Sequence, residues 1–77
     1  MEERKDVEVI DIDSDFIKLD QFLKFSGVAY SGAEAKTMIN DGIIKVNDEI
    51  ATQRGKKLSK GDCIEVELDD IMKFRIN

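Results

Sequence analysis

Ser31-Gly32-Ala33-Glu34-Ala35-Lys36-Thr37-Met38-Ile39-Asn40-Asp41-Gly42-Ile43-Ile44-Lys45-Val46-Asn47-Asp48 is the stretch on which the fold turns. Ser31 and Glu34 have the spacing of a capping box. The Ser31 hydroxyl is expected to accept from the Glu34 backbone N–H, and the Glu34 carboxylate to reach back to the N–H of Ser31. A helix therefore starts here. Ala35, Met38 and Ile39 fall at i, i+3 and i+4 and give it one apolar stripe, while Lys36, Thr37 and Asn40 face outward. Gly42 supplies the left-handed residue that ends it. Ile43 to Val46 and Glu49 to Ala51 then flank Asn47-Asp48, two residues that tolerate positive φ, which predicts a tight hairpin.

Towards the N-terminus, Leu19, Phe22, Leu23 and Ser26 lie at i, i+3, i+4 and i+7, one stripe of a first short helix stopped by Gly27, with Lys18, Gln21 and Lys24 on the opposite face. Before it, Val7, Val9, Ile10 and Ile12 alternate with charged residues. Residues 1–15 are thus expected as an acidic arm or an additional strand. Asp11, Asp13 and Asp15 also alternate, but the glycine and closing Glu of a calcium loop are missing, so no metal site is expected.

Beyond the hairpin, Thr52 to Lys57 is a polar, basic connection, and Leu58-Ser59-Lys60-Gly61-Asp62 is read as a turn. Cys63 to Leu68 alternates, with Ile64, Val66 and Leu68 inward and Glu65 and Glu67 outward. Asp69-Asp70 turns the chain, and Ile71 to Ile76 returns as a last strand. Phe16, Phe22, Phe25 and Phe74 are assigned to the core, leaving Tyr30 as the one ring for stacking.

The 77 residues make one domain near the lower size limit for a self-sufficient core. Cys63 is the sole cysteine and there is no histidine, so an internal disulfide and the usual zinc sets are excluded. No nucleophile–base pair or glycine-rich phosphate loop is present, and no catalytic residue or cofactor is expected. The opening Met1 to Asp6 is too acidic for a signal peptide and no apolar run would span a bilayer. A soluble cytoplasmic protein is expected.

The net charge of −5 argues against a polyanionic partner, but its distribution argues for one. Residues 1–15 hold seven acids and two bases; residues 16–61 hold eight bases and five acids; residues 62–77 hold two bases and five acids. A basic middle lies between acidic ends.

In order, Lys18-Leu19-Asp20-Gln21-Phe22-Leu23, Gly27, Ser31-Gly32-Ala33-Glu34-Ala35-Lys36, Ile39, Gly42, Lys45-Val46-Asn47-Asp48 and Lys60-Gly61-Asp62 resemble the RNA-binding domain of the type named after ribosomal protein S-four. The likeness covers Phe16 to Val66, and Thr52 to Leu58 is similar to the small stand-alone bacterial members, the YaaA/YbcJ-like proteins. Where the family has Arg before Leu-Asp this chain has Lys18, where Arg follows Ser it has Gly32, and where Gly closes the hairpin it has Asp48.

The resemblance implies an α+β fold, the alpha-L motif, with two short helices packed on a small, mainly antiparallel sheet. Residues 16–77 form the domain. It implies a non-catalytic, ribosome-associated module recognising structured RNA, ribosomal or transfer. The expected RNA-binding residues are Lys18, Gln21, Ser31, Gly32, Lys36, Asn40, Lys45, Asn47, Arg54, Lys56 and Lys57. No membrane partner is expected, and the chain is expected as a monomer. The competing class is a protein-interaction adaptor whose acidic termini dock a basic partner such as a ribosomal protein.

Overall fold

The computed structural model describes residues 7–77, and the acidic residues of the arm before Val7 lie outside the described residues. The elements follow in the order β1 (Val7–Ile10), β2 (Ile17–Lys18), α1 (Leu19–Phe25), α2 (Gly32–Asn40), β3 (Ile44–Val46), β4 (Glu49–Ile50), β5 (Lys57–Leu58), β6 (Cys63–Glu67) and β7 (Ile71–Ile76). Five strands form one sheet in the order β1-β7-β6-β3-β4, and β2 and β5 form a separate pair. Every pairing is antiparallel except β1 with β7, which is parallel. The expected helix pair on a mainly antiparallel sheet is the observed architecture, with β1 as the added N-terminal strand.

Strand alternation decides which face holds the core. Ile44 and Val46 on β3, Ile64 and Val66 on β6, and Phe74 and Ile76 on β7 are all buried. They share one cluster with Leu19, Phe22 and Leu23 of α1 and Ala35, Met38 and Ile39 of α2, so both helices lie on that face. Phe22 and Phe74 meet edge to face at 5.5 Å, which joins α1 to the sheet. Lys45, Glu65, Lys73 and Arg75 alternate to the other face.

Local chemistry sets the ends of the elements. Asn47 and Asp48 have φ of 52° and 73°, the two positive values that a two-residue hairpin matched to strand twist requires. Gly27 and Gly42 follow the helices with φ of 85° and 77°. Ser31 is the α2 N-cap, its Oγ accepting from the Glu34 N–H at 3.2 Å. Ser31→Ala removes that acceptor and should cost about 0.5–2 kcal/mol, read as a lower urea midpoint.

Four sequence expectations need correction. The Glu34 carboxylate accepts from the N–H of Tyr30 at 2.6 Å, one residue before the expected Ser31, because Ser31 is fully extended (φ −153°, ψ 170°) and presents the preceding N–H. Leu68 is exposed, since β6 ends at Glu67 and the alternation stops there. Phe16 and Phe25 are exposed instead of joining the core. Lys57–Leu58, divided between a connection and a turn, is a strand.

The segment before α1 is tied to the end of the chain. Asn77 donates from its backbone N–H to the Ile10 carbonyl at 2.8 Å and from its side chain to Asp11 Oδ1 at 2.8 Å. Ile12 is buried beside them. Among the described residues no helix is long and apolar enough to cross a membrane.

Candidate nucleic-acid interface

The first turn of any helix leaves N–H groups without intrahelical partners, and α1 has no side-chain cap at Lys18. The loop after the hairpin fills that role. Leu19 N–H donates to the Lys56 carbonyl at 2.8 Å and Asp20 N–H to the Arg54 carbonyl at 3.0 Å. The β2–β5 ladder continues the contact, with Ile17 opposite Leu58 and Lys18 opposite Lys57. Buried Leu58 anchors the loop from beneath.

This arrangement draws Lys18, Arg54, Lys56 and Lys57 to one end of α1, all four exposed. Like charges opposite each other in a ladder disfavour folding slightly, so Lys18 facing Lys57 brings the fold no benefit. Among the described residues none of the four makes an ion pair. Lys57 instead lies over the Phe16 ring, 4.7 Å from its centroid. The result is a group of cations open to solvent, held by backbone hydrogen bonds that do not use their side chains.

Gln21 lies one turn along α1 from Lys18 and faces solvent, as does Lys24. On α2, which packs beside α1, Ser31 and Gly32 form the N-terminus, and Lys36 and Asn40 lie exposed one turn apart. The N–H groups of Gly32 and Ala33 have no partner among the described residues. A Cβ at Gly32 would meet nothing within 4 Å. These nine candidates, five at the α1 end and four on α2, lie on the two adjacent helices and the loop that caps one of them.

Lys45 and Asn47 are placed elsewhere. Lys45 projects from the sheet face opposite the helices, its Nζ 2.9 Å from Glu67 Oε2. Its pKa is raised above the ordinary 10.5, first by the hydrogen bond to Glu67 and then by that carboxylate's charge. Desolvation opposes the shift, and Glu65 and Asp48 reinforce it. A raised folded pKa contributes stability that is complete below the unfolded value and lost as pH climbs through the folded one. The native chain should therefore lose stability more steeply than Lys45→Met above about pH 10.5, measurable by urea unfolding across alkaline pH. Asn47 accepts from the Cys63 N–H at 3.0 Å and donates to Asp62 Oδ1 at 3.1 Å, pinning the hairpin to the start of β6.

Sequence reasoning left out Lys24, Phe16 and Phe25. Phe25 carries a readable signal, because it falls outside the Leu19, Phe22, Leu23, Ser26 stripe. Phe16 carries none, because it lies just ahead of the two-residue β2 and belongs to no periodic stripe.

A family model for the S4 domain matches residues 10–76, nearly the whole described chain. The chain belongs to the S4 domain family. The S4 match takes in α1, α2, the hairpin and the capping loop together, so the clustered cations lie within the family's own domain. A Bacillus subtilis (strain 168) protein named "Probable ribosome maturation protein RlbA" is 45% identical over 58 residues, which are 75% of this chain and 82% of that protein. The two are thus similar over most of their lengths.

Proposed function

We propose that this chain is a non-catalytic RNA-binding module that grips the backbone of structured RNA, ribosomal RNA first and transfer RNA second, in the cytoplasm. The observation that carries this reading is the β2–β5 ladder with its two capping carbonyls, which concentrates Lys18, Arg54, Lys56 and Lys57 at the start of α1 in a chain of net charge −5. Phosphate contacts of this kind position an RNA without reading its sequence. The exposed Lys36 and Asn40 of α2, the helix packed beside α1, would extend that surface. Membership of the S4 family supports the reading, and the name of the Bacillus subtilis relative supports ribosome maturation as its setting.

Ultraviolet crosslinking in the native cell, followed by sequencing of the bound RNA, tests the proposal. Enrichment of ribosomal RNA or its precursors is expected. Recovery no greater than from a folded variant with Arg54, Lys56 and Lys57 reversed in charge would overturn it.

The open space at Gly32 gives a test in the direction of gain. Gly32→Arg places a forked cation at the first helical position of α2, where nothing obstructs it. RNA affinity should rise several-fold and the salt slope steepen by about one unit, as one further phosphate is neutralised. The relief of the glycine's conformational cost is opposed at this first helical position by the positive end of the helix dipole, so stability should change little.

A further inference from the structure

The helical surface that bears the cations also exposes aromatic rings. Lys18, the N-cap of α1, and Gln21 and Phe25 within it fall at i, i+3 and i+7, so Phe25 continues along the helix the row that begins at the capping loop. Phe25 is 64% exposed, and Tyr30, across the short turn to α2, is 94% exposed. At the other end of the row, Phe16 is 40% exposed with the Lys57 ammonium over its ring. A ring left this far in water contributes almost nothing to the core. Its setting identifies what covers it. Tyr30 is followed by the exposed Ser31 at the cap of α2, and its backbone N–H is held by the Glu34 carboxylate, so the ring stands at the helix turn with its side chain in solvent. Flat rings between cations and donors match a nucleotide, whose base offers a π-face and whose phosphate offers the charge.

We propose that Tyr30 and Phe25 form a stacking platform for unpaired nucleobases at the α1–α2 turn, so that the module selects structured RNA carrying a bulge or loop over continuous duplex. The inference rests on the RNA-binding reading above and adds to it a class of target. In an A-form duplex each base is stacked on its neighbours, and a protein ring takes only bases that are splayed out. The phosphates beside a flipped base would meet Lys18 and the loop cations along the same face of α1. Aromatic stacking tolerates any base, so the platform selects for unpaired structure more than for sequence.

The chain has one tyrosine and no tryptophan, so its intrinsic emission reports on Tyr30 alone. Two probes are compared at equal, low salt: a short RNA hairpin with a bulge of unpaired adenines in its stem, and the same stem fully paired. The bulged hairpin is expected to quench the tyrosine emission and the paired one to leave it nearly unchanged. Tyr30→Leu and Phe25→Leu should each weaken binding of the bulged hairpin by about 5- to 150-fold and leave the paired hairpin unaffected. Folding survives Tyr30→Leu, because the ring is in solvent and the backbone N–H that donates to Glu34 is retained. Equal binding of both hairpins by native and variant chains, without quenching, overturns the platform and leaves RNA binding standing. Failure of the native chain to bind either hairpin overturns the RNA-binding reading itself, and the platform with it.

Discussion

Replacing Arg54, Lys56 and Lys57 together by Glu is expected to lower RNA affinity by about two orders of magnitude near 0.1 M salt. Each phosphate neutralised releases counterions, and the observed affinity then varies as salt to a power of about −0.7 to −0.9 per contact. At that salt one contact is a factor of about six, so three give about two hundred, and the salt slope should flatten by about 2–3 units. The fold is expected to persist. What the loop gives to α1 is the backbone carbonyls of Arg54 and Lys56, which the substitutions leave in place. Glu at position 57 would face Lys18 across the ladder, replacing a repulsion by an attraction, although the contact with the Phe16 ring is lost. Circular dichroism checks the fold and a salt titration reads the effect. Lys45→Gln serves as the control on the opposite sheet face and should leave RNA affinity unchanged. An adaptor that docks proteins through acidic termini predicts the reverse: protein pull-down survives the triple change, and neither chain recovers RNA.

The largest effect on stability is expected at Phe22. Its side chain is fully buried, and its edge-to-face contact with Phe74 is the join between α1 and β7. Phe22→Ala should cost about 3–5 kcal/mol, the sum of lost transfer energy and the cavity left behind. A domain of this length has a total stability of about 4–12 kcal/mol, so the substitution removes roughly a quarter of it or more. Urea unfolding measures it, and a loss below about 1 kcal/mol would show that the core is centred elsewhere. A double-mutant cycle with Phe74→Leu should isolate about 0.5–1.5 kcal/mol for the ring pair itself.

The parts of this fold that were legible in the sequence are those where a local rule acts alone. Ser31 and Glu34 mark the start of α2 because capping is decided within four residues. Asn47-Asp48 marks the hairpin because few other residue pairs accept two positive φ values at low cost. Ile64 and Val66 reveal the buried face of β6 because alternation is a property of one strand. Where the outcome depends on distant chain segments, the sequence carried less. β2 and β5 are two residues each, too short for any period, and they exist because the loop folds back to cap α1 from more than thirty residues away. The same folding back turns a list of cations into a cluster. Composition named Lys18, Arg54, Lys56 and Lys57, but only the ladder register sets Lys18 against Lys57. Conversely, Lys45 and Asn47 have the right chemistry for RNA, and their engagement with Glu67, Asp62 and Cys63 follows from pairing across β3 and β6 that the sequence does not display.

RNA should meet the helices and the capping loop, not the opposite sheet face. The most direct measurement is a backbone amide NMR titration of the full chain with a structured RNA, mapping which resonances move. Shifts are expected to concentrate at residues 16–25, 30–40 and 53–58, while Lys45, Glu65, Lys73 and Arg75 on the far face of the sheet stay in place. Shifts concentrated on those sheet residues, or none at an RNA excess and low salt, would contradict it.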